Sequence, residues 1–204
     1  MRYRPPDGYH SANHHKYTRR NPVAAVHLAR FADLLARRLR PFAPATLLDA
    51  GCGEGFATDS LARRLPGVVA TGVDVSAGAV AYARERFGGT YETGSLYALP
   101  YPDRAFDAVV CSEVLEHLDA PDRALAEVHR VARRVLVVTV PREPLFRRLN
   151  DLGRALGFAP DPGHVNFWTP RQFDRFVREF APEARVERHS LYQVATIPVR
   201  GGAC

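Results

Sequence analysis

The sequence predicts an α/β fold: a doubly wound, mostly parallel seven-stranded sheet of Rossmann-like form, with an antiparallel strand at its C-terminal edge. Three observations predict it. Apolar runs with β-compatible residues alternate with helical stretches along most of the 204 residues. The best of those runs, Phe106–Ser112 and Val135–Val140, are apolar almost throughout, as strands covered on both faces are. At the first run, Thr46–Ala50, the chain turns at once into Gly51, Gly53 and Gly55, three glycines at alternate positions where a helix should begin.

The elements follow in order. Asn21 suits an N-cap and Pro22 the first turn of a helix that sets Leu28, Phe31, Leu35 and Leu39 on one face. After the glycines, a helix from Phe56 to Leu65 leads to the strand Val68–Asp74, and Ser76 suits the cap of a helix ending at Phe87. Thr90–Thr93 reads as a short strand, Phe106–Ser112 as a strong one, Pro121–Ala132 as a helix and Val135–Val140 as the last parallel strand. Thr169 suits the cap of a helix over Pro170–Phe180, and Arg185–Tyr192 and Val194–Val199 read as closing strands.

Length and composition fit one domain, with residues 1–20 as an N-terminal lid, 21–140 as the core and 141–204 as a substrate-side insertion with the last strands. No apolar stretch approaches the roughly twenty residues that span a bilayer, and the expectation is a cytoplasmic protein with no membrane partner. Cys52, Cys111 and Cys204 have no metal-ligand spacing. The formal charge is +6, and residues 1–40 carry nine basic side chains against Asp7 and Asp33. Lys16 is the single lysine among 28 basic residues, so the arginines reflect a general bias, and a solvated basic face is favoured over a nucleic-acid surface. Oligomeric state is not encoded in any pattern here.

The glycine turn is a ligand site in its own right. Missing Cβ atoms let a molecule approach the backbone, and the first N–H groups of the next helix favour an anion. The dinucleotide fingerprint Gly-x-Gly-x-x-Gly, counted from Gly51, would put its third glycine where Phe56 stands; Gly55 comes one residue early. A nicotinamide site therefore ranks low. With Leu48-Asp49-Ala50 before it and Cys52-Gly53-Glu54 within it, the run resembles the glycine-rich loop of class I S-adenosylmethionine-dependent methyltransferases. The group it most resembles is the small-molecule type found among ubiquinone and polyketide-tailoring enzymes. Two later segments carry the same resemblance in the same order: Gly94-Ser95-Leu96-Tyr97-Ala98-Leu99-Pro100 with Phe106-Asp107, and Ser112-Glu113-Val114-Leu115-Glu116-His117-Leu118.

The resemblance implies S-adenosylmethionine as cofactor and transfer of its methyl group to an oxygen, nitrogen or carbon of a small-molecule acceptor such as a secondary metabolite. It implies that Asp49, Gly51, Cys52, Gly53 and Gly55 hold the methionine part. Asp74, with Val75 beside it, would take the ribose hydroxyls, Ser95 and Leu96 the adenine, and Ser112 and Glu113 the methionine end. Ser95 stands where the family usually has an acid, so the adenine amino group would meet a hydroxyl without a charge. Tyr17 is the position most like the family's lid residue. His117 would serve the acceptor as base or orienting group, and His164 less directly; the alternative for His117 is a structural histidine. Glu116 is expected to face solvent. Asn166 and Trp168 would supply an amide and an aromatic wall to a pocket, or Trp168 would pack on the sheet. His10, His14 and His15 suggest a metal only weakly, and no metal site is expected. A nucleic-acid methyltransferase and a cofactor-binding protein that transfers no methyl are the rival readings.

Overall fold

The computed structural model describes residues 22–155 and 163–199. The expected lid over residues 1–20, Tyr17 within it and the Asn21 cap lie outside the described residues. Helix α1 (Pro22–Leu39) and a short 3-10 turn (Arg40–Phe42) precede β1 (Thr46–Ala50), α2 (Phe56–Arg64), β2 (Val69–Asp74), α3 (Ala77–Phe87) and β3 (Thr90–Thr93). Then come β4 (Phe106–Ser112), a 3-10 turn (Leu115–His117), α4 (Pro121–Arg130), β5 (Ala132–Pro141) and α5 (Leu145–Ala155). The chain closes with α6 (Pro170–Phe180), β6 (Arg185–His189) and β7 (Tyr192–Pro198).

The seven strands form one sheet in the order β3-β2-β1-β4-β5-β7-β6. Strands β1 to β5 pair in parallel, and β7 pairs antiparallel with both β5 and β6. This is the doubly wound, mostly parallel sheet the sequence predicts. The final strand enters between β5 and β6, so β6 is the outer edge, and composition explains the order. Strand β7 buries Val194, Ala195 and Ile197 and pairs along Val135–Pro141. Strand β6 carries Arg185, Glu187, Arg188 and His189 in exposed or half-exposed positions, charges that protect a sheet edge.

Both faces are covered, which is why the central strands read as continuous apolar runs. Leu47 and Leu48 are adjacent and point to opposite layers. Leu47 joins Leu35 and Leu39 of α1, Leu61 of α2 and Val135 and Val137 of β5. Leu48 joins Val109, Leu136, Leu125 of α4 and Phe173 of α6. The caps fall where the sequence puts them: Ser76 Oγ accepts from Ala79 N at 3.2 Å, and Thr169 and Gln172 form a reciprocal capping box. Helix α5 is an element the sequence analysis does not include, although its Leu145, Phe146, Leu149 and Leu152 recur at helical spacing; Leu149 and Leu152 are 49% and 58% exposed, so that stripe is not buried in the core.

Candidate active site

The carboxyl ends of β1, β2 and β4 meet at the loop 51–55, where open α/β sheets bind ligands. Gly51, Gly53 and Gly55 all sit in the left-handed region, at φ 85°, 51° and 79°. Gly51 N and Cys52 N both donate to Val73 O, at 2.8 and 3.0 Å, fastening the loop to β2. The three glycines then do different work. A Cβ on Gly51 would collide with the Val114 side chain, and one on Gly55 would lie 2.7 Å from Tyr91 Cε1 and 2.8 Å from Ala83 Cβ. A Cβ on Gly53 would meet nothing within 4 Å, so this glycine faces open space. Gly55→Ala should therefore cost about 2–4 kcal/mol in urea unfolding, from strain and overpacking together, while Gly53→Ala should cost about 1–2 kcal/mol from backbone strain alone. Equal losses in the two variants would contradict this division.

Two carboxylates flank the loop. Asp49, the fourth residue of β1, is 2% exposed and accepts a hydrogen bond from Thr58 Oγ1 at 2.6 Å. Burial, helped by the nearby charge of Asp74, lifts its pKa to about 6, against the Thr58 hydroxyl, which acts to lower it. Asp74, at the end of β2, accepts from Gly53 N at 2.8 Å and from Ser76 N at 2.9 Å. These bonds fix its carboxylate at the rim of the loop, while the helix cap falls to Ser76. Val75 beside it is 74% exposed.

A cavity opens over the loop, lined by Asp49, Gly51, Cys52, Glu54, Ser112 and Glu113. Leu28 and Phe31 of α1, Phe56 and Ala57 of α2 and Tyr192 of β7 close its walls. A wider groove between α1 and α2 shares Leu28, Phe31, Phe56 and Ala57 with it but contains none of the loop glycines. At the end of β4, Ser112 Oγ lies 3.1 Å from Thr139 Oγ1, which in turn donates to Glu113 Oε1 at 3.1 Å. Thr139 thus orients both residues through β5, where it is the direct neighbour of Ser112. Ser95 Oγ accepts from Tyr97 N at 3.2 Å within its own turn, and Leu96 is buried beneath it. The Cys52 and Cys111 thiols are pushed far up by burial and remain protonated.

Beyond β4 the fold assembles residues that sequence spacing does not join. Glu116 is 1% exposed, contrary to the expectation that it faces solvent. The segment 163–168 lies over the Leu115–His117 turn: Val165 N and Asn166 N donate to Glu116 O at 2.8 and 3.0 Å. Asn166 Nδ2 donates to Leu115 O and Leu118 O at 3.1 and 2.6 Å, so its amide nitrogen staples the two segments. His117 Nδ1 lies 3.2 Å from Gly163 O, and its ring is edge-on to His164 with centroids 4.9 Å apart. The His164 ring stacks on Phe146 at 5.3 Å. Trp168 packs beside Phe173 and Phe176 against the core, at 6.2 and 5.5 Å. Sequence reasoning missed Glu54, Thr58, Thr139 and Tyr192, and only the closeness of Glu54 to the glycines could have marked one of them.

Comparison with known proteins agrees with this geometry. A family described as a methyltransferase domain matches residues 48–135, from β1 through the start of β5. A probable S-adenosylmethionine-dependent methyltransferase of Mycobacterium tuberculosis is 38% identical over 118 residues, 56% of this chain and 42% of the relative. A ubiquinone biosynthesis O-methyltransferase of Alkalilimnicola ehrlichii is 31% identical over 160 residues, 72% of this chain and 64% of the relative. The chain spans less than two thirds of the length of these curated relatives. The fold is shared with the magnesium protoporphyrin IX methyltransferase of Synechocystis, a structure with bound S-adenosylhomocysteine, at a TM-score of 0.68, 18% identity and 92% coverage of both chains. The domain match covers the loop, Asp74 and the β4 connection, so residues 48–135 are similar to a methyltransferase domain, and the sheet around them has the fold of the protoporphyrin methyltransferase.

Proposed function

We propose that this chain transfers the methyl group of S-adenosylmethionine to a small-molecule acceptor, and that it works as a single domain in which residues 21–140 hold the cofactor and 141–204 shape the acceptor side. The observation that carries the reading is the loop itself. Gly53 presents bare backbone to open space between a buried, neutralisable Asp49 and a rim carboxylate, Asp74. These groups fit the cofactor: Asp74 keeps acceptor capacity for ribose hydroxyls, and the exposed Val75 offers a face to the adenine. Asp49 lies where a cation would stabilise its ionised form. The cofactor supplies a methyl carbon already activated by its sulfonium charge. The protein's task is then to hold donor and acceptor in line and keep water out. Phe31, Tyr192 and Leu28 supply an apolar wall for that purpose, with the Phe31 and Tyr192 rings 4.3 Å apart and His27 Nε2 at 2.9 Å from the Tyr192 hydroxyl. Small-molecule acceptors fit the names of the ubiquinone and protoporphyrin relatives.

Calorimetric titration with S-adenosylhomocysteine, followed by assay of its release from S-adenosylmethionine across phenolic, amine and carbon acceptors, tests the proposal. Binding with turnover on one acceptor class is the expected result. Asp74→Asn should weaken binding about 10- to 100-fold through loss of charge-assisted ribose hydrogen bonds. No binding by the wild type, or binding without turnover on any acceptor, would overturn it.

A further inference from the structure

We infer that Glu116, His117 and His164 form a site for one divalent transition-metal ion on the acceptor side of the cofactor cavity. The further step, that the ion takes an acceptor hydroxyl as ligand, rests on the proposed methyl transfer; the ion site itself does not.

The three residues each offer one ligand atom, and these atoms all lie within 4.8 Å of one another. Ligands sharing one ion at about 2.0–2.2 Å stand roughly 3–4 Å apart, so small side-chain rotations close the set. Two imidazoles and one carboxylate are a donor set suited to Zn²⁺, Mn²⁺, Fe²⁺ or Co²⁺ rather than to Ca²⁺.

The scaffold is arranged for this purpose independently of the cluster. Glu116 and His117 share one 3-10 turn, and His164 comes from a distant segment that four hydrogen bonds pin to that turn. The contact of His117 Nδ1 with Gly163 O puts the proton on Nδ1 and the lone pair on Nε2, the outer-shell arrangement that orients a ligating histidine. Phe146 stacks on the His164 ring and limits its rotation. Glu116 is buried at the floor while His117 is exposed, so the site is open on one side. Three protein ligands with open positions define a catalytic rather than a structural metal centre.

Glu116 and His117 follow Ser112 and Glu113, which line the cofactor cavity, by a few residues on the same connection. An acceptor hydroxyl bound to the ion would lose its proton to solvent more readily, the O–H electron pair staying on oxygen. That oxygen would attack the methyl carbon as the bond from carbon to sulfur breaks, its electron pair returning to sulfur. The site thereby points to an oxygen acceptor with a second donor atom for the ion, such as a vicinal diol, a catechol or a hydroxy-carbonyl.

The test uses the full chain, stripped with a chelator and titrated with Co²⁺ and Zn²⁺, followed by calorimetry and by the visible absorption of bound Co²⁺. The expected result is about one ion per chain, with His117→Ala, His164→Ala and Glu116→Gln each weakening uptake by at least about 100-fold. S-adenosylhomocysteine affinity, measured on the same samples, should stay unchanged, which also shows that each variant is folded; His164→Gln replaces any that is not. Absence of Co²⁺ and Zn²⁺ uptake by the wild type, or equal uptake by the variants, overturns the site. Ion uptake without S-adenosylhomocysteine binding would leave the site standing and defeat the methyl-transfer reading instead.

Discussion

Asp49→Asn gains stability relative to the wild type as pH rises from 4 to above 6, by up to about 3 kcal/mol, and loses its response to cofactor. The sign follows from the buried carboxyl. Its pKa stands near 6 in the folded chain, while in the unfolded chain it returns to the ordinary value near 3.8. Below pH 4 both states are protonated and the group contributes nothing. Between the two values the unfolded chain ionises first, so stability falls with rising pH; above 6 the full cost remains. Asparagine keeps an oxygen to accept from Thr58 Oγ1 and removes the titration, so urea unfolding of the two proteins at pH 4, 5, 6, 7 and 8 isolates this one group. Ligand binding must show the reverse slope. A cation beside Asp49 favours the ionised form, so wild-type affinity for S-adenosylmethionine should fall about tenfold per pH unit below 6, while the variant binds weakly at every pH. A stability difference that is flat in pH, or a variant that binds like the wild type, would refute the role assigned to Asp49.

The same residue shows what a sequence reveals and what it withholds. Asp49, the three glycines and Asp74 were legible because strand, turn, helix and next strand are contiguous, and the distances inside such a unit follow from the chain's own geometry. The parallel strands were legible because burial on both faces leaves almost no polar residue, as in Phe106–Ser112. The entry of β7 between β5 and β6 was not, since nothing local in Tyr192–Pro198 says which strand it pairs with. Helix α5 carries Leu145, Leu149 and Leu152 at helical spacing, but its segment reads first as an insertion between β5 and the closing elements. Glu116 was misread as solvent-facing because its cover, Val165 and Asn166, comes from a remote segment, and the same long-range contact brings His164 to His117. Thr139 became visible only through its register with Ser112. Spacing rules describe what one element does with the next; the acceptor side is built from elements that meet only in the folded chain.

Removing the carboxylate of Asp107 should be among the most damaging single changes to stability, and its pH dependence should run opposite to that of Asp49. Asp107, the second residue of β4, is 1% exposed and joins three parts of the sheet's amino end. Its Oδ2 accepts from Ala45 N at 2.8 Å and Thr46 N at 3.3 Å, tying it to the entry of β1. Its Oδ1 accepts from Arg133 of β5 through Nε at 2.8 Å and through Nη2, and Arg134 Nε stands 3.2 Å away. Its own amide donates to Thr46 Oγ1 at 2.9 Å. Burial acts to raise the pKa, but the Arg133 guanidinium and the two amides outweigh it and hold the carboxyl below its ordinary value. The group therefore contributes stability that is fully present above the unfolded value near 4 and lost as pH falls through the folded one. Asp107→Ala removes the acceptor of two backbone donors and the partner of two arginines at once, for an expected cost of about 2–4 kcal/mol at pH 7 in urea unfolding. Both arginines are about half exposed and can return to water, which keeps the cost below that of breaking a fully buried pair. Arg133→Ala should cost less, because Arg134 and the two amides remain. The deficit of Asp107→Ala should shrink as pH falls below 4, whereas the advantage of Asp49→Asn should shrink as pH falls from 6 to 4. A deficit under about 1 kcal/mol at pH 7, or one that does not diminish in acid, would remove Asp107 from its place as the anchor of β1, β4 and β5.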